Sequence, residues 1–205
     1  MSNCCEMKTF DGLSEKYKRV LFLVIGINAV MFCVEMWAGA ASGSQALKAD
    51  ALDFAGDAAT YTLSLLVIGA SVKTRARASL VKAGSLAVMA IFILGLTGVR
   101  VFEGQPPEAH TMGIVGGLAL AANIVSVLVL MSWRDGDSNV RSVWLCSRND
   151  AIGNVGVIIA SFLVALTGTA WPDLIVAALL AALFLRSSAA IFGQARLELE
   201  KGVAA

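Results

Sequence analysis

Two aspartates four residues apart, Asp53 and Asp57, interrupt an otherwise apolar run. Four residues is close to one helical turn, so both carboxylates fall on one face of a helix. Asp50, three residues before Asp53, lies near that face too. Further along, Cys146 and Asp150 repeat the spacing in a second apolar run. Two helices that each offer such a pair can converge on four ligands, the number a tetrahedral site needs. The candidate metal-ligating set is therefore Asp53, Asp57, Cys146 and Asp150. A thiolate among oxygen ligands favours a borderline or soft ion such as zinc or cadmium. If Cys146 instead serves as a small packing residue, Asn149 or Asn154 completes an oxygen-rich site better suited to manganese, iron or cobalt.

The same grouping implies proton chemistry. Neighbouring carboxylates repel when both are ionised, so at least one should hold a proton until a divalent cation displaces it. Metal binding and proton release are then coupled at one site, as in a metal/proton exchanger. Asp50, Asn149, Asn154 and Glu35 form a secondary set of candidates. Asp50 is also placed to cap a helix start. Glu35 and Asn28 in the first run suit hydrogen bonds between helices, with proton relay as a further role for both. Asn123 reads as interhelical glue, Arg148 as a side chain that snorkels to an interface, and His110 as a solvated loop residue. An adjacent Cys4-Cys5 pair is too sparse a pattern to make a site.

The elements that must position these groups are membrane spans. Of the 205 residues, 58% are hydrophobic, against about 45–50% in soluble domains, and the mean hydropathy is +0.77. The excess falls into six runs of about 20 residues, the length needed to cross ~30 Å of hydrocarbon: 20–41, 46–71, 80–102, 111–133, 142–166 and 173–192. The spacing predicts an all-α integral membrane protein of six transmembrane helices over residues 20–192. A cytoplasmic segment 1–19 precedes it and a short cytoplasmic tail 193–205 follows. Lys and Arg concentrate in alternate loops (Lys16, Lys18 and Arg19, then Lys73, Arg75 and Arg77, then Arg134 and Arg141, then Arg196 and Lys201). That bias puts both termini in the cytoplasm. Trp37, Trp133, Trp144 and Trp171 lie near span ends, as interfacial anchors do. Gly113 and Gly117 form a GxxxG pair suited to close helix packing within the chain, with a dimer contact as the alternative. A net charge of +1 offers no field for nucleic acid. The polar head, with Glu6, Asp11 and Glu15 and no small-residue cleavage site, does not read as a signal peptide.

These residues resemble the cation diffusion facilitator family. The stretch Ser42-Gly43-Ser44-Gln45-Ala46-Leu47-Lys48-Ala49-Asp50-Ala51-Leu52-Asp53, followed by Asp57, is similar to the family's second-helix pattern. Cys146-Ser147-Arg148-Asn149-Asp150 with Asn154 is similar to its fifth-helix His-x-x-x-Asp-x-x-x-Asn, and Asn28, Glu35 and Gly39 fit its first helix. The resemblance implies a cation-efflux-type bundle that exports divalent metal from the cytoplasm, in a bacterial inner membrane, by proton-coupled alternating access. It implies a homodimer, no prosthetic group, and Asp53, Asp57 and Asp150 at the transport site, with Cys146 in place of the usual His. Its partners would be the bilayer, protons and divalent ions (zinc first, with cadmium, manganese, iron or cobalt as others). The 134–141 loop lacks the family's His-rich character, and Lys48 stands where an apolar residue is usual. Only about a dozen residues follow the sixth run, so a short form without the family's cytoplasmic metal-binding domain is expected, and any dimer would form through membrane helices.

Two alternatives come from other classes. One is a membrane metal sensor or degenerate paralogue without transport. The other is an intramembrane metal-dependent enzyme, such as a CDP-alcohol phosphotransferase. That enzyme's pattern fails here, because Asp50 is followed by Ala51 and no Arg lies in the second run; the chain is read as no enzyme. If sulfur sets the ion choice, Cys146→Ser should lose the preference for zinc and cadmium over manganese, cobalt and iron in a competition binding series. An unchanged order of affinities would remove Cys146 from the ligand set.

Overall fold

The computed structural model describes residues 14–66, 71–134 and 138–203. Cys4, Cys5 and most of the 1–19 head lie outside it. Six long helices make up the described chain: α1 (Glu15–Ser42), α2 (Gln45–Leu66), α3 (Val72–Glu103), α4 (Ala109–Leu130), α5 (Ser138–Thr167) and α6 (Trp171–Val203). A 3₁₀ turn, Met131–Trp133, extends α4.

Several helices run past the apolar stretches. Ser14 caps α1, its hydroxyl accepting from the Tyr17 amide at 3.2 Å. Ser71 caps α3 in the same way, so Lys73 and Arg77 lie in its opening turns rather than in a loop. Beyond Phe192, α6 continues through helix-favouring Ala, Leu and Glu, with an Arg196–Glu200 ion pair (3.3 Å) one turn apart. The apolar boundary marks where hydrocarbon would end, not where the backbone must leave the helix.

Among the described residues, five segments are long and apolar enough to cross a membrane: Glu15–Ser42, Ser79–Glu103, Ala109–Trp133, Cys146–Thr167 and Trp171–Leu197. The 22-residue α2 spans about 33 Å by its rise but carries Lys48, Asp50, Asp53 and Asp57. It is placed accordingly. It touches each of the other five helices, while α3 lies chiefly along α6 and α4 along α5. Large apolar side chains such as Phe22, Val81, Phe92, Phe102, Ile152 and Phe162 point outward, the pattern of a lipid-facing surface. Trp37 and Trp171 are exposed near helix ends, whereas Trp133 turns inward onto Tyr17, ring centroids 5.8 Å apart.

Close approach of α4 to α5 depends on Gly113 and Gly116. A Cβ on Gly113 would lie 3.1 Å from Ser161 Oγ, and one on Gly116 would lie 3.2 Å from Val157. Gly117, paired with Gly113 in the sequence pattern, has open space beside it. The close-packed face is thus i, i+3 rather than i, i+4.

The turn between α1 and α2 is tightly held. Gly43 ends α1 at φ 76, and a Cβ there would strike the Arg100 guanidinium. The first turn of α2 needs acceptors for its free amides, and Asp173 of α6 supplies them. Its carboxylate accepts from Ser44 Oγ (2.5 Å), the Gln45 amide (2.8 Å) and the Ala46 amide (3.0 Å). Ser44 Oγ in turn accepts from the Leu47 amide at 3.0 Å. At the same end Glu108 caps α4, accepting from the amides of His110 and Thr111, and its own amide donates to Ser42 O at 2.9 Å. The bonds from Thr111 hold the Glu108 carboxyl below the usual range. Replacing Asp173 with Ala strips three donors of a buried anionic acceptor. It should destabilise the protein by about 1–3 kcal/mol, read as a lower thermal midpoint in detergent and as faster amide exchange at Gln45 and Ala46.

Candidate metal centre

Asp53 and Asp57 project from α2 towards α5, where Asp150 lies within hydrogen-bonding reach of both. Cys146, one turn earlier on α5, is close enough to feel the charges of Asp57 and Asp53. The two i, i+4 pairs therefore face one another across the α2–α5 contact. Asp57 is buried, and Asp53, Cys146 and Asp150 are partly buried. Lys82 of α3 adds a positive charge felt at Asp53, Asp57 and Cys146. As the side chains stand, no three His, Cys, Asp or Glu groups among the described residues form a set that could hold a metal ion. Three carboxylates brought this close repel one another when ionised.

A second polar chain lies towards the Asp173 end of α2. Asp50 is fully buried; its Oδ2 accepts from Asn154 Nδ2 of α5 at 2.5 Å. Asn154 Oδ1 accepts from Asn123 Nδ2 of α4 at 2.9 Å. Glu35 of α1 faces Asp50, and neither Glu35 oxygen meets a hydrogen-bond donor. Two carboxyl groups can bond only through a shared proton. Four helices thus meet through Glu35, Asp50, Asn154 and Asn123. Asn123 is interhelical glue, as its position in the fourth run suggested. Asn28 is not, because its amide donates back to Val24 O of its own helix at 2.8 Å. Asp50 caps no helix start; that task falls to Asp173.

The remaining candidates lie at the margin. Asn149 is exposed and accepts from the Arg148 guanidinium at 3.3 Å, while Arg148 stands 5.4 Å over the Trp144 ring. His110 is exposed at the start of α4. Lys48 is partly buried and feels the Arg100 guanidinium as well as the carboxylates of Asp173 and Glu103; nothing in the structure explains a cation at that position. Two functional groups went unread in the sequence. Tyr61 is fully buried and its hydroxyl donates to Asp57 Oδ2; a second i, i+4 step along α2, from Asp57 to Tyr61, was the available signal. Asp173 gave no signal beyond its place at the start of an apolar run.

Residues 21–199 match the model of the cation efflux transmembrane domain. The chain belongs to the cation efflux family. Among similar proteins, the zinc transporter ZitB of Escherichia coli K12 is 31% identical over 83% of this chain and 58% of its own length. The metal cation efflux system protein CzcD of Cupriavidus metallidurans is 26% identical over 80% of this chain and 55% of its own. A cadmium, cobalt and zinc/H(+)-K(+) antiporter of Bacillus subtilis is 23% identical over 86% and 60%. The chain thus spans less than two thirds of these relatives. Cation efflux proteins are multi-pass membrane transporters rather than enzymes, and the lipid-facing surface above agrees with that setting.

The Asp50 chain makes a direct prediction. Asn154→Ala would leave a buried carboxylate oxygen and the Asn123 amide without partners. The loss should cost about 2–4 kcal/mol, measured by thermal unfolding in detergent.

Proposed function

We propose that this protein carries a divalent metal ion, zinc or cadmium foremost, out of the cytoplasm in exchange for protons. The observation that carries this reading is the meeting of Asp53, Asp57 and Asp150 between α2 and α5, inside a bundle whose outer surface is apolar. A charged side chain in hydrocarbon costs roughly 2.5–3.5 kcal/mol on insertion scales. Three at one place are unfavourable for stability alone and suit a doubly charged guest.

In this reading the ion binds to Asp53, Asp57 and Asp150, with the Cys146 sulfur as fourth ligand. Zinc accepts a mixed sulfur and oxygen set in tetrahedral geometry. Protons held by the carboxyl groups leave as the ion arrives and return as it departs, so a proton gradient drives the exchange. Asp50 and Glu35 form a neighbouring carboxyl pair, one turn from Asp53, through which protons reach the site. The printed names of the relatives, which include zinc, cadmium, cobalt and protons, agree with this choice of cargo and counter-ion. The basic end of the bundle, with Lys16, Lys18, Arg19, Lys73, Arg77 and Arg134, is the cytoplasmic side.

Asp57→Ala should abolish zinc uptake into inverted membrane vesicles while the purified protein keeps its helical circular dichroism and its thermal midpoint within about 2 kcal/mol of stability. Transport at the wild-type rate in that variant would sink the proposal.

A further inference from the structure

Tyr61 stands where the metal centre meets the basic end of the bundle. It lies one turn beyond Asp57 on α2 and is one of only two tyrosines in the chain. Its ring is fully buried in an apolar seal with Tyr17, Leu21 and Val24 of α1, Leu130 of α4 and Val143 of α5. These residues lie towards the basic ends of α1, α2, α4 and α5, between the carboxylates and that end.

The hydroxyl has three oxygen neighbours. It donates to Asp57 Oδ2. The Val143 carbonyl and Ser147 Oγ, both on α5, lie 3.4 Å away. The Cys146 thiol is also within its reach. Tyr61 therefore bonds a member of one i, i+4 pair, and a member of the other packs against its cluster. A phenol has a single hydrogen to donate, and here it is committed to Asp57. A carboxylate oxygen that ligates a cation is a poorer acceptor, since the same electron density is drawn to the ion. Two further acceptors already wait on the neighbouring helix.

We propose that Tyr61 is a loading latch. Its hydroxyl holds the Asp57 carboxylate against the seal; an ion that enters among Asp53, Asp57 and Asp150 takes that oxygen, and the hydroxyl passes its hydrogen bond to the Val143 carbonyl or Ser147 Oγ. No bond to hydrogen breaks; only the acceptor changes. The exchange transmits the arrival of the ion to the side chain that plugs the basic end, and shifts the tie of α2 from its own carboxylate to α5. Tyr61 is thus a positioning residue rather than a ligand. This inference rests on the metal-cargo reading above.

The test uses the full chain purified in detergent, with zinc as the probe and a competing chelator at about pH 8.5, where protons compete least for carboxylates. Tyr61→Phe keeps the ring in the seal and removes only the hydroxyl. It should bind zinc about three- to tenfold more tightly, because the ion no longer competes with a hydrogen bond to a charged group. Infrared difference spectra give a second readout. In Tyr17→Phe, where Tyr61 is the remaining tyrosine, zinc should shift the tyrosine ring and C–O vibrations; with Tyr61→Phe added, no such shift should remain. Unchanged affinity in Tyr61→Phe overturns the latch, as does weaker binding, which would make the phenol a ligand. If Tyr61→Phe does not fold, the Tyr17→Phe spectra decide alone, and silence there overturns the latch. Failure of the wild-type chain to bind zinc at all is a separate outcome that overturns the cargo reading and the latch together.

Discussion

A carboxylate inside a membrane-spanning bundle can neither be hydrated nor left alone, because the surrounding hydrocarbon and apolar side chains offer its charge no compensation. The helix α2 carries three such groups within eight residues, Asp50, Asp53 and Asp57. That burden decides where it sits. The other helices can face lipid along much of their length, but α2 must bring its charged face to protein groups, and it contacts every other helix. The carboxylates sort by the partners they find. Asp50 meets a fixed amide donor on α5 and a carboxyl group on α1. Asp53 and Asp57 meet another acid, Asp150, and that mutual repulsion can be relieved by protons or by a cation.

The two ends of α2 are tied in different ways. Asp173 caps its start from α6 with hydrogen bonds to two backbone amides and a serine hydroxyl. Those bonds satisfy donors that have no other acceptor, so this end behaves as a fixed hinge post. Towards the other end, Tyr61 ties the helix through Asp57 itself, and its hydroxyl also lies near Val143 and Ser147 of α5. One end is thus tied through backbone amides to another helix, and the other through a side chain of α2 itself.

The close contact of α4 with α5 at Gly113 and Gly116 serves the same end. It brings Asn123 against Asn154, so that the amide chain from α4 reaches Asp50. The α3–α6 pair stands beside this group and contributes Lys82 near the acids and Asp173 at the cap. The polar groups of the bundle therefore form a few connected sets rather than scattered pairs.

Much of this was present in the order of residues. Runs of about 20 apolar residues determine six helices in a bilayer, since backbone polar groups there must bond within the segment. The i, i+4 spacing of Asp53 with Asp57 and of Cys146 with Asp150 determines that each pair shares a face, because helical pitch is a local property. The same locality explains what was not legible. That the two pairs face each other, that Gly116 rather than Gly117 meets α5, that Asp173 caps a helix 128 residues away from it and that Tyr61 reaches α5 all depend on how each helix is rotated and tilted against its neighbours. Spacing along one helix carries no information on that rotation. It is set by the combined packing of all six, and only the tertiary structure decided it.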